Sequence, residues 1–337
     1  MSVGTEPTNT KLVIAVWHSF FSEWNAKPVM AYTLRQRWPQ MNVVHVTNVE
    51  RLPAELADAD IFVGSVLRPA QFAAAKKLKW IHSTSAGVGQ LMYPELRNSG
   101  VIITNASGIF SIPMAEHTIG LILALARNFP DTVRQQEKAI WSQQDLWDKP
   151  QHLAEVNGTL LLIVGYGSIG REVAKRAKAL GMRVWGVTRS GKGDATHAEK
   201  IVASTELHNV LPNADYLLLC APETSETNSL IGPQQLAQMK RTARLINVGR
   251  GSLVDEAALI SALESGALAG AAVDVAQTEP LPATSPLWRA PNLFITPHTS
   301  ALSDRLWPRE TAMLVDLLER WFDGRELFNR VDFARGY

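Results

Sequence analysis

The chain has 337 residues, of which 46% are hydrophobic and 19% charged, and its net charge is +1. That is the composition of an ordinary globular protein, and the length favours two domains over one core. Lys and Arg are scattered, with neither a nucleic-acid stripe nor a polybasic membrane patch, so the expected partner is a small molecule and not nucleic acid or membrane.

The N-terminal "MSVGTEPTNTKLVIAV" lacks the basic start and small-residue cleavage site of a signal peptide, which gives the expectation of a cytoplasmic protein. "LVIAVW" at 12–17 then predicts a buried strand, and "VVHVTN", "IFVGS", "WIHSTSAG" and "VIITNASG" follow, with helical stretches such as "PAELAD" and "PAQFAAAKKL" between some of them. This alternation predicts a parallel α/β sheet over the first hundred or so residues. From Ser111 to Phe129 a helix is expected, with Pro113 in its first turn. Its apolar residues Met114, Ile119, Leu121, Ile122, Leu123 and Leu125 cover so wide an arc that the helix should be buried. The polar segment 130–157, with Trp141 and Trp147, reads as an extended arm.

A second strand–helix series begins at "TLLLIVG". A helix at 169–180 and the strands "RVWGVT", "ADYLLLCAP", "ARLINVG", "GAAVDV" and "NLFITPH" follow, with a helix near "DEAALISALESG". The closing helix "PRETAMLVDLLERWFDG" has Pro308 at its start, Gly324 past its end and a stripe of Leu314, Leu317, Leu318 and Trp321.

Three features carry chemistry. The first is "GYGSIG", in which Gly165, Gly167 and Gly170 follow a buried strand and open an amphipathic helix through Ser168 and Ile169. Gly165 suits the tight turn, Gly167 the approach of a pyrophosphate and Gly170 the packing of helix on strand, while the helix N-terminus offers free N–H groups. A dinucleotide is the expected ligand. The second is the end of the next strand, where a ribose-binding acid usually stands. Here Thr188, Arg189 and Ser190 stand instead, with Lys192 nearby. A guanidinium and two hydroxyls suit a 2′-phosphate, so NADP(H) is expected in preference to NAD(H); the other reading is that Arg189 points to solvent and both cofactors are accepted.

The third is a set of polar residues past the carboxyl ends of strands, where open α/β sheets bind ligands: Arg250, Glu279 and His298. A His titrating near neutrality can protonate the alkoxide left by hydride addition to a ketone, a carboxylate can steady the imidazolium, and an Arg can hold a substrate carboxylate in its fork.

With "LLLIVGYGSIGREVAKRAKALGM", "LINVGRGSLVDEAAL", "GAAVDVAQTEPLP" and "NLFITPHTS" in this order and spacing, the sequence resembles the D-isomer-specific 2-hydroxyacid dehydrogenase family, from about residue 60 to the C-terminus. The resemblance implies two Rossmann-like, doubly wound parallel-sheet domains with the active site in the cleft between them: residues 1–110 and 298–337 as the catalytic domain and 111–297 as the dinucleotide-binding domain. It implies that Arg250 orients a 2-oxoacid such as glyoxylate or hydroxypyruvate and that His298 is the general acid and base, paired with Glu279. It places Asp274 beside the nicotinamide, Cys220, Ala221, Pro222, Thr227 and Val248 along the cofactor groove, and the backbone at Ala86 and Gly87 on the substrate carboxylate. A homodimer is also implied, with the arm 130–157 resembling the dimerisation segment. Gly249 departs from the Ala or Ser usual before the Arg, a mild change. Glu279, where formate dehydrogenases carry Gln, disfavours formate oxidation. A corepressor-like dinucleotide-sensing scaffold and a dehydrogenase of phosphoglycerate or phosphite are the competing readings. His18 and Arg68 stand as possible contributors from the first lobe, His117 is expected to bond locally within its helix, and Cys220 to be a packed thiol rather than a nucleophile.

Overall fold

Short apolar runs that are buried on both faces form parallel strands, because helical crossovers cover the sheet above and below. Two such sheets build this protein. The computed structural model describes residues 6–16, 25–149 and 153–333, and the chain divides into two units, Met1–Phe110 with Ser303–Tyr337, and Ser111–Leu302.

In the first unit, β1 (Lys11–Ile14), β2 (Asn42–His45), β3 (Ile61–Val63), β4 (Trp80–Ser83) and β5 (Ile102–Asn105) form a parallel sheet in the order β2-β1-β3-β4-β5. The helix Leu306–Phe322 returns to cover it. Its expected stripe of Leu314, Leu317, Leu318 and Trp321 is buried, and the Trp321 ring stacks on that of Trp80 with centroids 5.4 Å apart.

In the second unit, β6 (Leu160–Val164), β7 (Arg183–Thr188), β8 (Lys200–Ala203), β9 (Tyr216–Leu219), β10 (Arg244–Asn247), β11 (Gly270–Val273) and β12 (Leu293–Ile295) form a parallel sheet ordered β12-β11-β10-β9-β6-β7-β8. Both sheets therefore wind outward in two directions from a central strand, β1 or β6, and the crevice where the winding reverses is the usual ligand position. β8 was not expected. "KIVA" is short and lies among charged residues, and β7 recruits it as an edge partner through the Trp185↔Lys200 to Thr188↔Ala203 register.

The helix Ser111–Ala126 forms as expected and packs against the helix Ser168–Ala179. Ile119 and Leu123 remain half-buried, so the covered face is narrower than the apolar arc suggested. The segment after it is not an extended arm. It contains the helices Phe129–Glu137 and Gln143–Trp147, and Asp131 bonds Arg134 at 2.7 Å and also holds Lys149.

Residues 298–302, expected with the first lobe, belong to the second unit. The reason is Asp274, just past β11. Its carboxylate accepts the N–H groups of Thr299 at 2.9 Å and Ser300 at 3.0 Å and ties that loop to the second sheet.

Candidate functional site

The glycine turn after β6 fits a dinucleotide for steric reasons visible at each glycine. Gly165 has φ +94°, and a Cβ there would lie 2.5 Å from Ala221 N, so only glycine lets β6 pass the end of β9 this closely. A Cβ on Gly170 would lie 2.9 Å from Gly165 O and 3.1 Å from Ile163 Cγ2, so the helix is seated directly on the strand. At Gly167 a Cβ would meet only Gly165 O, at 4.0 Å, and that open space is what an approaching pyrophosphate needs. Ser168, Ile169 and Gly170 form the first turn of the helix Ser168–Ala179, where N–H groups lack intrahelical acceptors.

The groove opposite is formed by the end of β9. Cys220 donates its thiol proton to Gly165 O at 3.1 Å, and burial pushes that thiol up to about 12. It is a packed, protonated thiol, as expected, and not a nucleophile. Ala221 packs under Gly165, and Thr227 donates to Pro222 O at 2.7 Å, which closes the turn that follows. Val248 is less open than anticipated: its side chain is buried and its N–H bonds Leu219 O at 3.1 Å.

At the end of β7, Arg189 and Ser190 are exposed. Thr188 differs from expectation, since its hydroxyl donates to Lys192 O at 3.0 Å and closes the loop. Asp194, in the same loop, was overlooked. Its carboxyl is held below the usual range by hydrogen bonds from Thr196, first from the hydroxyl and then from the N–H, with the charges of Arg171 and His197 adding to the effect. An acid thus stands a few residues beyond the place where one is normally sought.

The polar residues past β10, β11 and β12 fall into two groups. Glu279 and His298 are bonded: His298 Nδ1 lies 2.6 Å from Glu279 Oε2, while Glu279 Oε1 accepts the Ala276 N–H at 3.0 Å. The bond to the carboxylate occupies Nδ1 and leaves Nε2 as the nitrogen that can exchange a proton. His298 has φ +53°, a left-handed conformation uncommon outside glycine, and its N–H bonds Asp274 O at 2.8 Å. Asp274 is only 1% exposed. Besides the two loop amides it accepts the Thr296 hydroxyl at 2.6 Å, and His117 Nε2 lies 3.0 Å from that hydroxyl. Asp274 therefore orients the His298 loop, and His117 reaches across 179 residues instead of bonding within its own helix. No sequence pattern marks that contact.

Arg250 stands apart. It is exposed, and its Nη1 donates to Gly249 O at 2.8 Å. Among the described residues it has no ion pair. Its turn is fixed by Asn247, which donates to Arg250 O at 2.8 Å, and by Gly251, where a Cβ would lie 2.0 Å from Ala276 C. That contact sets the Arg250 turn beside the strand end that also holds Glu279. Gly249 is likewise tight, 2.8 Å from Leu253 Cδ1 for a Cβ, so an Ala there would need Leu253 to move.

In the first unit Ala86 and Gly87 are exposed just past β4, and among the described residues neither amide has an acceptor. Arg68 is exposed before the helix Pro69–Ala74. His18 lies outside the described residues. Among the described residues no helix is long and apolar enough to cross a membrane.

Comparison with known proteins agrees with this geometry. The profile of the family described as "D-isomer specific 2-hydroxyacid dehydrogenase, NAD binding domain" matches residues 119–300. D-3-phosphoglycerate dehydrogenase of Methanocaldococcus jannaschii is 31% identical over 84% of this chain, which spans only 53% of that longer protein. Glyoxylate reductase of Korarchaeum cryptofilum is 34% identical over 77% of this chain and 79% of its own length. Among solved structures, a D-isomer specific 2-hydroxyacid dehydrogenase from Xanthobacter autotrophicus Py2, in complex with NADPH and MES, superposes with a TM-score of 0.81 at 27% identity, covering 98% of this chain and 100% of that one.

Proposed function

This chain belongs to the D-isomer-specific 2-hydroxyacid dehydrogenase family, and from that premise we propose that it reduces a 2-oxoacid, of the glyoxylate or hydroxypyruvate type, to the D-2-hydroxyacid with NADPH. The observation that carries the reading is the bonded pair His298–Glu279 at 2.6 Å, standing past the carboxyl ends of β11 and β12.

The dinucleotide, held by the Gly165–Gly170 turn, supplies the hydride when bound. Hydride addition turns the keto oxygen into an alkoxide, and His298 Nε2–H gives it a proton. Glu279, bonded to Nδ1, stabilises the imidazolium before that transfer and keeps the ring from turning. Arg250, which has no ion pair among the described residues, takes the substrate carboxylate and polarises the keto oxygen. The exposed amides of Ala86 and Gly87 are proposed as donors to a substrate carboxylate. In the oxidative direction His298 is the base. Asp274 acts by holding the loop, and its nicotinamide contact remains part of the proposal.

Preference for NADPH is supported by the exposed Arg189 and Ser190 and by the absence of an acid at the end of β7. The NADPH bound to the Xanthobacter relative agrees with it. A second reading, phosphoglycerate as the hydroxyacid, is favoured by the name of the Methanocaldococcus relative. His298→Ala should lower kcat by about 10²- to 10⁴-fold, the range of general acid–base catalysis, while NADPH still binds, as followed by its fluorescence. Unchanged kcat would remove His298 from the chemistry.

A further inference from the structure

The second unit holds a buried arginine that the reaction does not use. Arg244, the first residue of β10, is only 7% exposed. A guanidinium stays charged in any protein environment. Its central carbon lies 5.7 Å from the centroid of the Tyr216 ring, on the neighbouring strand β9. Apart from that ring and its hydroxyl, nothing among the described residues answers the charge. No acid among them lies within ion-pair distance of Arg244, and no backbone carbonyl accepts from its side chain. A buried cation without a counter-charge is costly unless an anion reaches it.

Arg244 lines a cavity of about 30 Å³. The cavity lies at the amino ends of β10, β11 and β12, the sheet edge opposite to Arg250, Glu279 and His298. Gly270, the first residue of β11, keeps it open: a Cβ there would lie 3.2 Å from Asn292 O and 3.9 Å from Leu125 Cδ2, and both residues line the cavity. Asn292 adds a side-chain amide that no group among the described residues bonds. Asp131 is the one acid among the described lining residues, and it is bonded by both Arg134, at 2.7 Å, and Lys149. Arg244, Arg134 and Lys149 thus stand against a single carboxylate, and the excess charge is positive. At roughly 10–15 Å³ per water-sized group, the cavity takes two such groups, as many as a carboxylate has oxygens.

We propose that this cavity is a binding site for a carboxylate group, with Arg244 as its counter-charge. The guanidinium presents two parallel N–H groups to the two oxygens, and the Asn292 amide donates to one of them. The exposed Arg134 attracts the anion to the mouth of the cavity. Whatever is attached to the carboxyl carbon points outward, past Arg134. The site is separate from the proposed catalytic centre and does not depend on the reaction assigned to it.

Isothermal titration of the full chain with sodium formate, against sodium chloride at the same ionic strength, tests the proposal. The catalytic centre is itself proposed to take a carboxylate, so the titrated protein is Arg250→Leu. It should bind formate saturably, adding Arg244→Met should weaken that binding at least tenfold, and formamide, the neutral isostere, should not bind. If the double variant fails to fold, Arg244→Lys, which keeps the charge and loses the fork, takes the place of Arg244→Met with the same expectation. Titration at two protein concentrations, above and below the dissociation of any self-association seen in sedimentation, identifies the source of the carboxylate. Heat at both concentrations assigns the site to a free carboxylic acid, and heat at the lower one alone to an Asp or Glu side chain of a second copy. Heats equal to those of sodium chloride at both concentrations, equal binding of formamide, or binding unchanged by the substitution of Arg244 would overturn the proposal.

Discussion

The backbone of His298 and the carboxylate of Asp274 do as much to define the site as the bond to Glu279. The imidazole is held at Nδ1 by Glu279, its backbone is held in a left-handed conformation by the Asp274 carbonyl, and the next two amides bond the Asp274 carboxylate. Arg250, Glu279 and His298 are proposed from residue type and position, since each chemistry admits few side chains, and the structure bonds the last two to each other. Contacts made over long sequence separations were not legible in the sequence. The His117–Thr296 contact and the His82–Glu310 pair, 228 residues apart, depend on packing that no local pattern encodes. The loop after β7 was half legible: Arg189 and Ser190 are exposed as expected, whereas Thr188 bonds Lys192 and Asp194 adds a charge of the opposite sign. Arg189→Asp should therefore shift the ratio of kcat/KM for NADPH over NADH toward NADH by at least tenfold, through repulsion of the 2′-phosphate. An unchanged ratio in steady-state assays would assign cofactor choice to other residues.

Among the elements, the two sheets solve one problem in the same way. β1 and β6 are central strands whose first amides have no strand neighbour to bond. Asp60, just before β3, accepts the Lys11 N–H at 3.0 Å, and Asp215, just before β9, accepts the Leu160 N–H at 2.8 Å. Each acid is also paired with a lysine, Lys79 at 2.9 Å and Lys240 at 2.7 Å. Asp215→Ala should leave the Leu160 amide without its partner and cost about 1–3 kcal/mol, read as a fall in the urea midpoint at constant slope. An unchanged midpoint would show that water replaces the carboxylate. Strands rich in branched and apolar residues were readable, because their sequence and their burial coincide. β8 was not, since an edge strand needs little apolar surface. The helices Phe129–Glu137 and Gln143–Trp147 leave no buried periodicity to read, because their polar sequences lack a buried face.

For the whole molecule, those two helices and the connection between them leave Phe129, Val133, Ile140, Trp141 and Trp147 exposed, with Trp141 at 93%. Large aromatic and branched side chains displayed together mark an association surface, and a homodimer formed through this segment is the proposed state. Trp141→Ser with Ile140→Ser should shift sedimentation toward monomer with the circular dichroism unchanged; a dimer of unaltered strength would place the interface elsewhere. The reading of the molecule as a catalyst, and not a dinucleotide-sensing scaffold, rests on turnover. Initial rates over a panel of 2-oxoacids that includes glyoxylate, hydroxypyruvate, pyruvate and phosphohydroxypyruvate, each with NADPH and with NADH, are read from the loss of nicotinamide absorbance. Turnover of at least one short 2-oxoacid is expected, with kcat/KM higher for NADPH. Binding of NADPH with no turnover of any 2-oxoacid would contradict the account.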